Sequence, residues 1–304
     1  MNKLARLLLV LVATSLSVAV AQDAAHKQMV QTSTVAEVER TPTEIFRLDG
    51  SYVFESDLHN DGNFGPQDAL QTGIEYSHRF LLGGRIYLRA GLAYNRFDFG
   101  ESVAPVPDQL FSIAGILGLE YLVGRDVGAF LQFRPGYYTE DHIGASSFDV
   151  PITAGRVFIL QPDRLYLFIG ANAAFLRGEY PVLPLAGVVW KPSEQWNLYA
   201  VVPEPRITYS PNKKIDFWVG GQLVGGSFRT DRDNNIVPRK LSNAQVDYSE
   251  YRAGLGIEYH PREEFSILVG GGYAFQRRIN FERAGEQWKA DGAPYVRVAL
   301  QAEF

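Results

Sequence analysis

Alternation of apolar and polar residues is the dominant pattern of this chain. In 70–77 the apolar Leu70, Ile74 and Tyr76 alternate with Gln71, Glu75 and Ser77. In 85–92 Ile86, Leu88 and Leu92 oppose Arg85 and Arg89. Phe111, Ile113, Leu117, Leu119 and Tyr121 oppose Ser112 and Glu120, and Leu131 and Phe133 oppose Gln132 and Arg134. Leu165, Leu167 and Ile169 oppose Tyr166 and Asn172. Tyr251, Ala253, Leu255, Ile257 and Tyr259 oppose Glu250, Arg252 and Glu258, and Phe265, Ile267, Val269, Tyr273 and Phe275 share a face. Side chains of a strand point alternately to its two faces, so each stretch predicts a strand with one greasy and one wet side. Gly, Pro, Asp and Asn punctuate the stretches. Short connections fall at 82–84, 123–125, 161–163, 191–194, 210–213 and 260–264, and long ones at 56–68, 100–108, 139–147, 230–245 and 280–291.

Periodicity alone leaves open which face is outside. A soluble sandwich buries the apolar face, and a membrane barrel exposes it. The first residues weigh on this choice. Lys3 and Arg6 precede an apolar run over 7–20, and Ala19-Val20-Ala21 supplies small residues at a cleavage site. This reads as a signal peptide over 1–21, since the apolar run is too short to span a bilayer as a helix. Residues 22–44 are polar and read as a flexible periplasmic tail, leaving 45–304 for a single β domain. The chain has no Cys, with 29 Gly, 16 Tyr and 19 Phe, a composition that suits a barrel whose strands are apolar on one face only. The net charge of −5 offers no basic face for nucleic acid.

The last strand, 294–304, puts Val296, Val298 and Phe304 opposite Tyr295, Arg297 and Glu303. It resembles the C-terminal signature of bacterial outer-membrane barrels, which end in Phe. The resemblance implies that Phe304 serves as a signal to the barrel-assembly machinery. Further likeness lies in Trp190-Lys-Pro-Ser-Glu-Gln-Trp196-Asn-Leu198, in Pro203, Pro205 and Tyr209-Ser210-Pro211, and in Gly225-Gly226-Ser227-Phe228-Arg229. Tyr248-Ser-Glu-Tyr251 with Gly254 and Gly256, and Phe275-Gln-Arg277-Arg278, continue it. These motifs resemble a bacterial family of porin-like outer-membrane β-barrels of unknown function. What that implies is a fold and a location in the outer membrane, among its lipids, with no reaction or ligand.

The fold class expected is all-β, an antiparallel transmembrane barrel with short periplasmic turns and longer extracellular loops. One segment breaks the rhythm. Residues 195–209 lie between two short turns and are too few for two spans of about 9–11 residues each. Pro203 and Pro205 also disfavour a central strand there. A stub bent into the lumen gives twelve strands, the preferred reading; a pair of short strands gives fourteen. The stub would make Pro203, Glu204, Pro205 and Arg206 a constriction.

No catalytic, cofactor or metal site is expected. Ser77 and His78 are neighbours in a strand and so face opposite ways. The acidic 231–235 lacks the Gly and distal Glu of a calcium loop. Function is then sought in the lumen, toward which Glu75, Arg79, Arg85, Arg89, Glu120, Arg134, Glu250, Arg252, Glu258 and Arg297 are expected to project, with Glu303 beside them. The first expectation is a passive channel or transporter for small solutes. The alternative is a structural or adhesion barrel with a filled lumen and binding loops, and an enzyme comes third. A solvent-inaccessible lumen would favour the filled barrel.

Overall fold

A computed structural model describes residues 43–123, 126–178 and 180–304. The signal-peptide reading of 1–21 and all but the last residues of the proposed tail lie outside them. The strands are β1 Glu44–His59, β2 Asn63–Gly83, β3 Ile86–Phe99, β4 Gln109–Val123, β5 Asp126–Phe133, β6 Gly136–Thr139, β7 Phe148–Asp149 and β8 Ile152–Gln161. There follow β9 Leu165–Ala173, β10 Val182–Trp190, β11 Trp196–Val201, β12 Arg206–Asn212, β13 Ile215–Arg229, β14 Gln245–Arg262, β15 Phe265–Phe281, β16 Glu286–Ala290 and β17 Ala293–Glu303.

All seventeen belong to one sheet. Three pairs are single staves interrupted once: β5 with β6 at Pro135, β7 with β8 at Pro151, and β16 with β17 at Asp291 and Gly292. The two proline breaks sit side by side, where Arg134 donates its backbone N–H to the Pro151 carbonyl at 2.9 Å. Proline has no N–H to give to a ladder, which explains both interruptions. Fourteen antiparallel staves result. The sheet closes on itself because β17 pairs with β1, from Ile45 opposite Glu303 to Val53 opposite Tyr295. The closure is tied at its end by Phe304, which donates to the Glu44 carbonyl at 3.0 Å and accepts from Glu44 N–H at 2.9 Å.

Twelve staves are therefore corrected to fourteen. Residues 195–209 do not form an inward stub; they make the short hairpin β11–β12, in register from Trp196–Tyr209 to Tyr199–Arg206. The prolines fit because they lie in the connection. There their carbonyls still accept, from Leu223 N–H to Pro203 and from Gly221 N–H to Pro205, each at 2.8 Å. The expected long loop at 56–68 is also corrected. Strands β1 and β2 run on past it and turn at 60–62. At about 3.3 Å per residue, the 21 residues of β2 extend roughly 70 Å, far more than a bilayer core requires.

Burial decides which face is outside. On β4, Glu120 is 3% exposed between Leu119 and Tyr121, each 44% exposed. On β2, Glu75 is 8% exposed between Ile74 and Tyr76, at 46% and 45%. The greasy residues face out and the charges face in, the reverse of a water-soluble domain and the pattern of a barrel solvated by lipid. No helix among the described residues is long and apolar enough to cross a membrane.

Two glycines shape the inner wall. The Trp218 ring lies over Gly270 and Gly256, where an added Cβ would stand 2.5 Å and 2.9 Å from ring carbons. Gly270→Val should therefore overpack the interior at a cost of about 1–3 kcal/mol. A lowered urea midpoint followed by tryptophan fluorescence would show it; an unchanged midpoint would mean a loosely packed interior.

Candidate functional site in the barrel interior

The interior is built from the inward faces of all the staves. Toward the end that carries Thr43, Phe304 and the short turns, four arginines converge on two glutamates. Glu75 takes Arg89 Nη2 at 2.9 Å and Arg47 Nη1 at 3.6 Å on one oxygen, and Arg134 Nη2 at 2.8 Å on the other. Arg79 Nε lies 2.9 Å from Glu120. Ser77, fully buried, accepts from Arg89 Nε at 2.9 Å. His78 faces the opposite way, 3.7 Å from Glu44, so this Ser and this His do not meet.

A second group is built from β14, β17, β1 and the β11–β12 tip. Glu250 accepts from Arg252 Nε at 2.6 Å and from the Tyr248 hydroxyl at 2.7 Å. Arg252 also donates to Ser51 at 2.7 Å and stacks over the Tyr295 ring at 5.1 Å. Arg297 joins Asp49 at 2.7 Å to Glu204 at 3.0 Å. Gln222 donates to the same Glu204 at 2.7 Å. The tip of the β11–β12 hairpin thus does send Glu204 inward, although the hairpin itself belongs to the wall. Pro203 and Pro205 bond along β13, and Arg206 turns to Glu258 at 3.4 Å. A small void opens beside Glu204, Arg206, Trp218 and Arg297.

Of the ten charged residues expected inside, eight are buried there, and Glu258 is half-buried with Arg206. Arg85 is the exception: it is exposed in the turn between β2 and β3. Tight turns project their side chains into solvent, and the strand phase starts only at Ile86. Arg47 and Arg277 are additional interior cations. Arg47 was legible from its alternation with Phe46 and Leu48. Arg277 was not, because a register irregularity between Tyr251 and Arg252 shifts the face of β15 beyond it. Its guanidinium donates to Ser56 at 3.0 Å and to the Gln67 carbonyl.

Toward the opposite, loop-bearing end the interior turns apolar. Phe97, Leu110, Phe228, Tyr248, Phe281 and Trp288 are each no more than 2% exposed and form one cluster. Leu241 from the loop after β13 and Leu176 from the loop after β9 complete it. Walls six staves apart touch here, since β6 and β13 form a parallel bridge at Thr139 and Arg229. Loops carry the tie further. Asp231 N–H donates to Glu140 at 2.8 Å, and His142 Nδ1 lies 2.5 Å from Asp231.

The Asp231 hydrogen bond holds the His142 pKa above the ordinary histidine value. The charged tie is therefore complete below about pH 6.5 and is lost as pH rises through the raised value. An NMR titration should place His142 above the ordinary value, and Asp231→Asn should return it. An unshifted wild-type value would mean that the loops do not meet.

The fold also gathers three Asp/Glu/His groups that sequence spacing did not reveal, because one member of each is at least forty residues from the others: Asp57–His59–Asp291, Asp141–His142–Asp231 and Asp216–Glu258–His260. His59 and His260 each lie 3.2 Å from an aspartate of their group. Among the described residues no serine is hydrogen-bonded to a histidine.

Similarity to solved structures is broad in coverage and low in identity. The chain is similar to the Pseudomonas putida toluene transporter TodX at 11% identity, covering 96% of this chain and 97% of that one, with a TM-score of 0.46. It is similar to the COG4313 outer membrane channel from Pseudomonas putida F1 at 9% identity, covering 89% and 100%, with a TM-score of 0.47. The translocator domain of autotransporter NalP from Neisseria meningitidis gives 10% identity, 93% and 96% coverage and a TM-score of 0.38. At these values the likenesses carry nothing about cargo, and the fold rests on the chain's own geometry. No curated protein matches. One family model matches residues 129–294, more than half of the chain, from within β5 to the start of β17. The chain belongs to the family described as Domain of unknown function (DUF6268).

Proposed function

We propose that the chain is a bacterial outer-membrane β-barrel with a closed interior, acting through its outer wall and loops as a structural or adhesion barrel. The end bearing Phe304 and the short turns is periplasmic on this reading, the loop end is extracellular, and Phe304 addresses the assembly machinery. One observation carries the proposal. Ion pairs on the β1–β5 side and an apolar cluster around Phe130, Phe168 and Tyr199 fill the short-turn half of the interior, an aromatic layer fills the other half, and these side chains are almost wholly buried. An open lumen would leave such side chains wet. Proteoliposomes containing the purified chain should swell in small sugars or amino acids no faster than empty liposomes. Rapid swelling would overturn the closed interior.

A passive channel or small-solute transporter is the second reading. The void beside Glu204 favours it, since the Glu204–Arg297 pair spans from the hairpin tip to β17 there. On that reading Glu204→Ala opens a path and speeds swelling. On the closed-barrel reading the aromatic layer still blocks it.

A further inference from the structure

The outer wall at the loop end carries cations that the interior does not use. Strand register sets Arg278 of β15 opposite Lys289 of β16, and Lys289 opposite His59 of β1. Arg278 and Lys289 alternate with the buried Arg277, Ile279, Trp288 and Ala290, so both point outward. Nearby acids are engaged elsewhere. Asp291 lies 3.2 Å from His59, Asp57 accepts from Asn63 at 3.3 Å, and Glu286 pairs with Lys240 at 2.6 Å. Asp247 of β14 stands opposite Asn280, two residues further along β15 than Arg278, and its carboxylate faces Gly178 and Arg177. Arg278 donates to Gln276 at 2.6 Å, and among the described residues neither Arg278 nor Lys289 has an ion-pair partner.

Directly below these cations the wall is greasy and aromatic. Phe275 is 60% exposed and meets Tyr273 edge-on at 5.6 Å; Phe54 and Val296 continue the surface on β1 and β17. Arg278 lies three residues beyond Phe275, about 10 Å along the strand. Two unpaired cations placed that far above an apolar belt match an amphiphile with a phosphate at one end and acyl chains at the other. Arginine suits the phosphate especially, because its planar fork donates two parallel hydrogen bonds.

We propose that the wall formed by β15, β16, β17 and β1 binds an outer-leaflet phosphorylated glycolipid. Arg278 and Lys289 hold the phosphate, and Phe275, Tyr273, Phe54 and Val296 receive the acyl chains. The inference rests on outer-membrane placement and is independent of whether the interior conducts.

The test uses the full chain purified in detergent, mixed with diphosphorylated lipid A and examined by native mass spectrometry. Wild type should retain the lipid, and Arg278→Gln/Lys289→Gln should retain it roughly thirtyfold less, the loss expected for two cations at an anionic surface. Arg278→Lys/Lys289→Arg should keep most of it. Equal retention by wild type and the Gln variant, or equal retention of lipid A stripped of phosphate, would overturn the proposal. Should the double variant not fold, Lys289→Gln at an exposed site carries the same comparison. Membrane fractionation of wild type separates the two failures: wild type outside the outer membrane defeats the placement and the inference together. Correct placement with equal lipid retention defeats only the inference.

Discussion

Glu75→Ala is expected to be the most damaging single substitution in the barrel, costing at least the roughly 3–5 kcal/mol typical of breaking a buried ion pair. Three guanidinium groups, those of Arg47, Arg89 and Arg134, share this one carboxylate. Removing it leaves like charges facing each other at a site where Arg89 and Arg134 are 1% and 2% exposed. Water is excluded, so screening is weak and the desolvation of each cation goes uncompensated. The measurement is urea unfolding in detergent, with folded protein read from its heat-modifiable mobility on gels. Arg96→Ala provides the contrast. Arg96 pairs with Asp98 at 2.5 Å on the outward face near the loop end, where its side chain is 40% exposed, and its loss should cost no more than about 1 kcal/mol. Equal, small effects from both would mean that water reaches Glu75.

The second large effect is a rescue. Glu250 is fully buried and holds Arg252 and Tyr248. Glu250→Ala leaves the Arg252 charge without its carboxylate and should cost about 3–5 kcal/mol. Replacing both partners by apolar residues, Glu250→Leu with Arg252→Met, should recover much of the loss, because no buried charge remains to be desolvated. A double-mutant cycle in the same urea assay isolates the coupling. A double variant as unstable as the sum of its single changes would show that the pair does not act as a unit. Ser51 and the Tyr295 ring, which also touch Arg252, set how complete the recovery is.

Much of the architecture was legible because period-two alternation is written directly in the residues. Ile74, Glu75 and Tyr76 state their two faces without any help from the fold. The short turns expected at 82–84 and 210–213 were nearly as plain, being Gly, Pro, Asn and Lys between alternating runs, and they fall within a residue or so of the turns at 84–85 and 213–214. The hairpin β11–β12 was less so. Its prolines argue against strand under a rule about N–H donors, yet the fold uses only their carbonyls, and that depends on a partner strand more than ten residues away. Arg277 was hidden for a related reason: a bulge reverses the faces of everything beyond it, and no local residue announces one. The aromatic layer was hardest. Phe97, Phe228 and Trp288 sit on inward faces where a lumen was expected to be polar. Only contact between walls distant in sequence makes them a core.

The closed interior is tested most directly by single-channel recording in planar bilayers. Wild type should give no stable conductance steps, since ion pairs with the Phe130–Phe168 cluster, and then an aromatic layer, fill the lumen in series. Glu204→Ala should also stay silent, because removing the hairpin-tip contact leaves the layer around Trp288 and Phe228 in place. Regular steps from wild type would contradict the closed barrel outright. Steps seen only in Glu204→Ala would instead make the hairpin tip the gate of a channel.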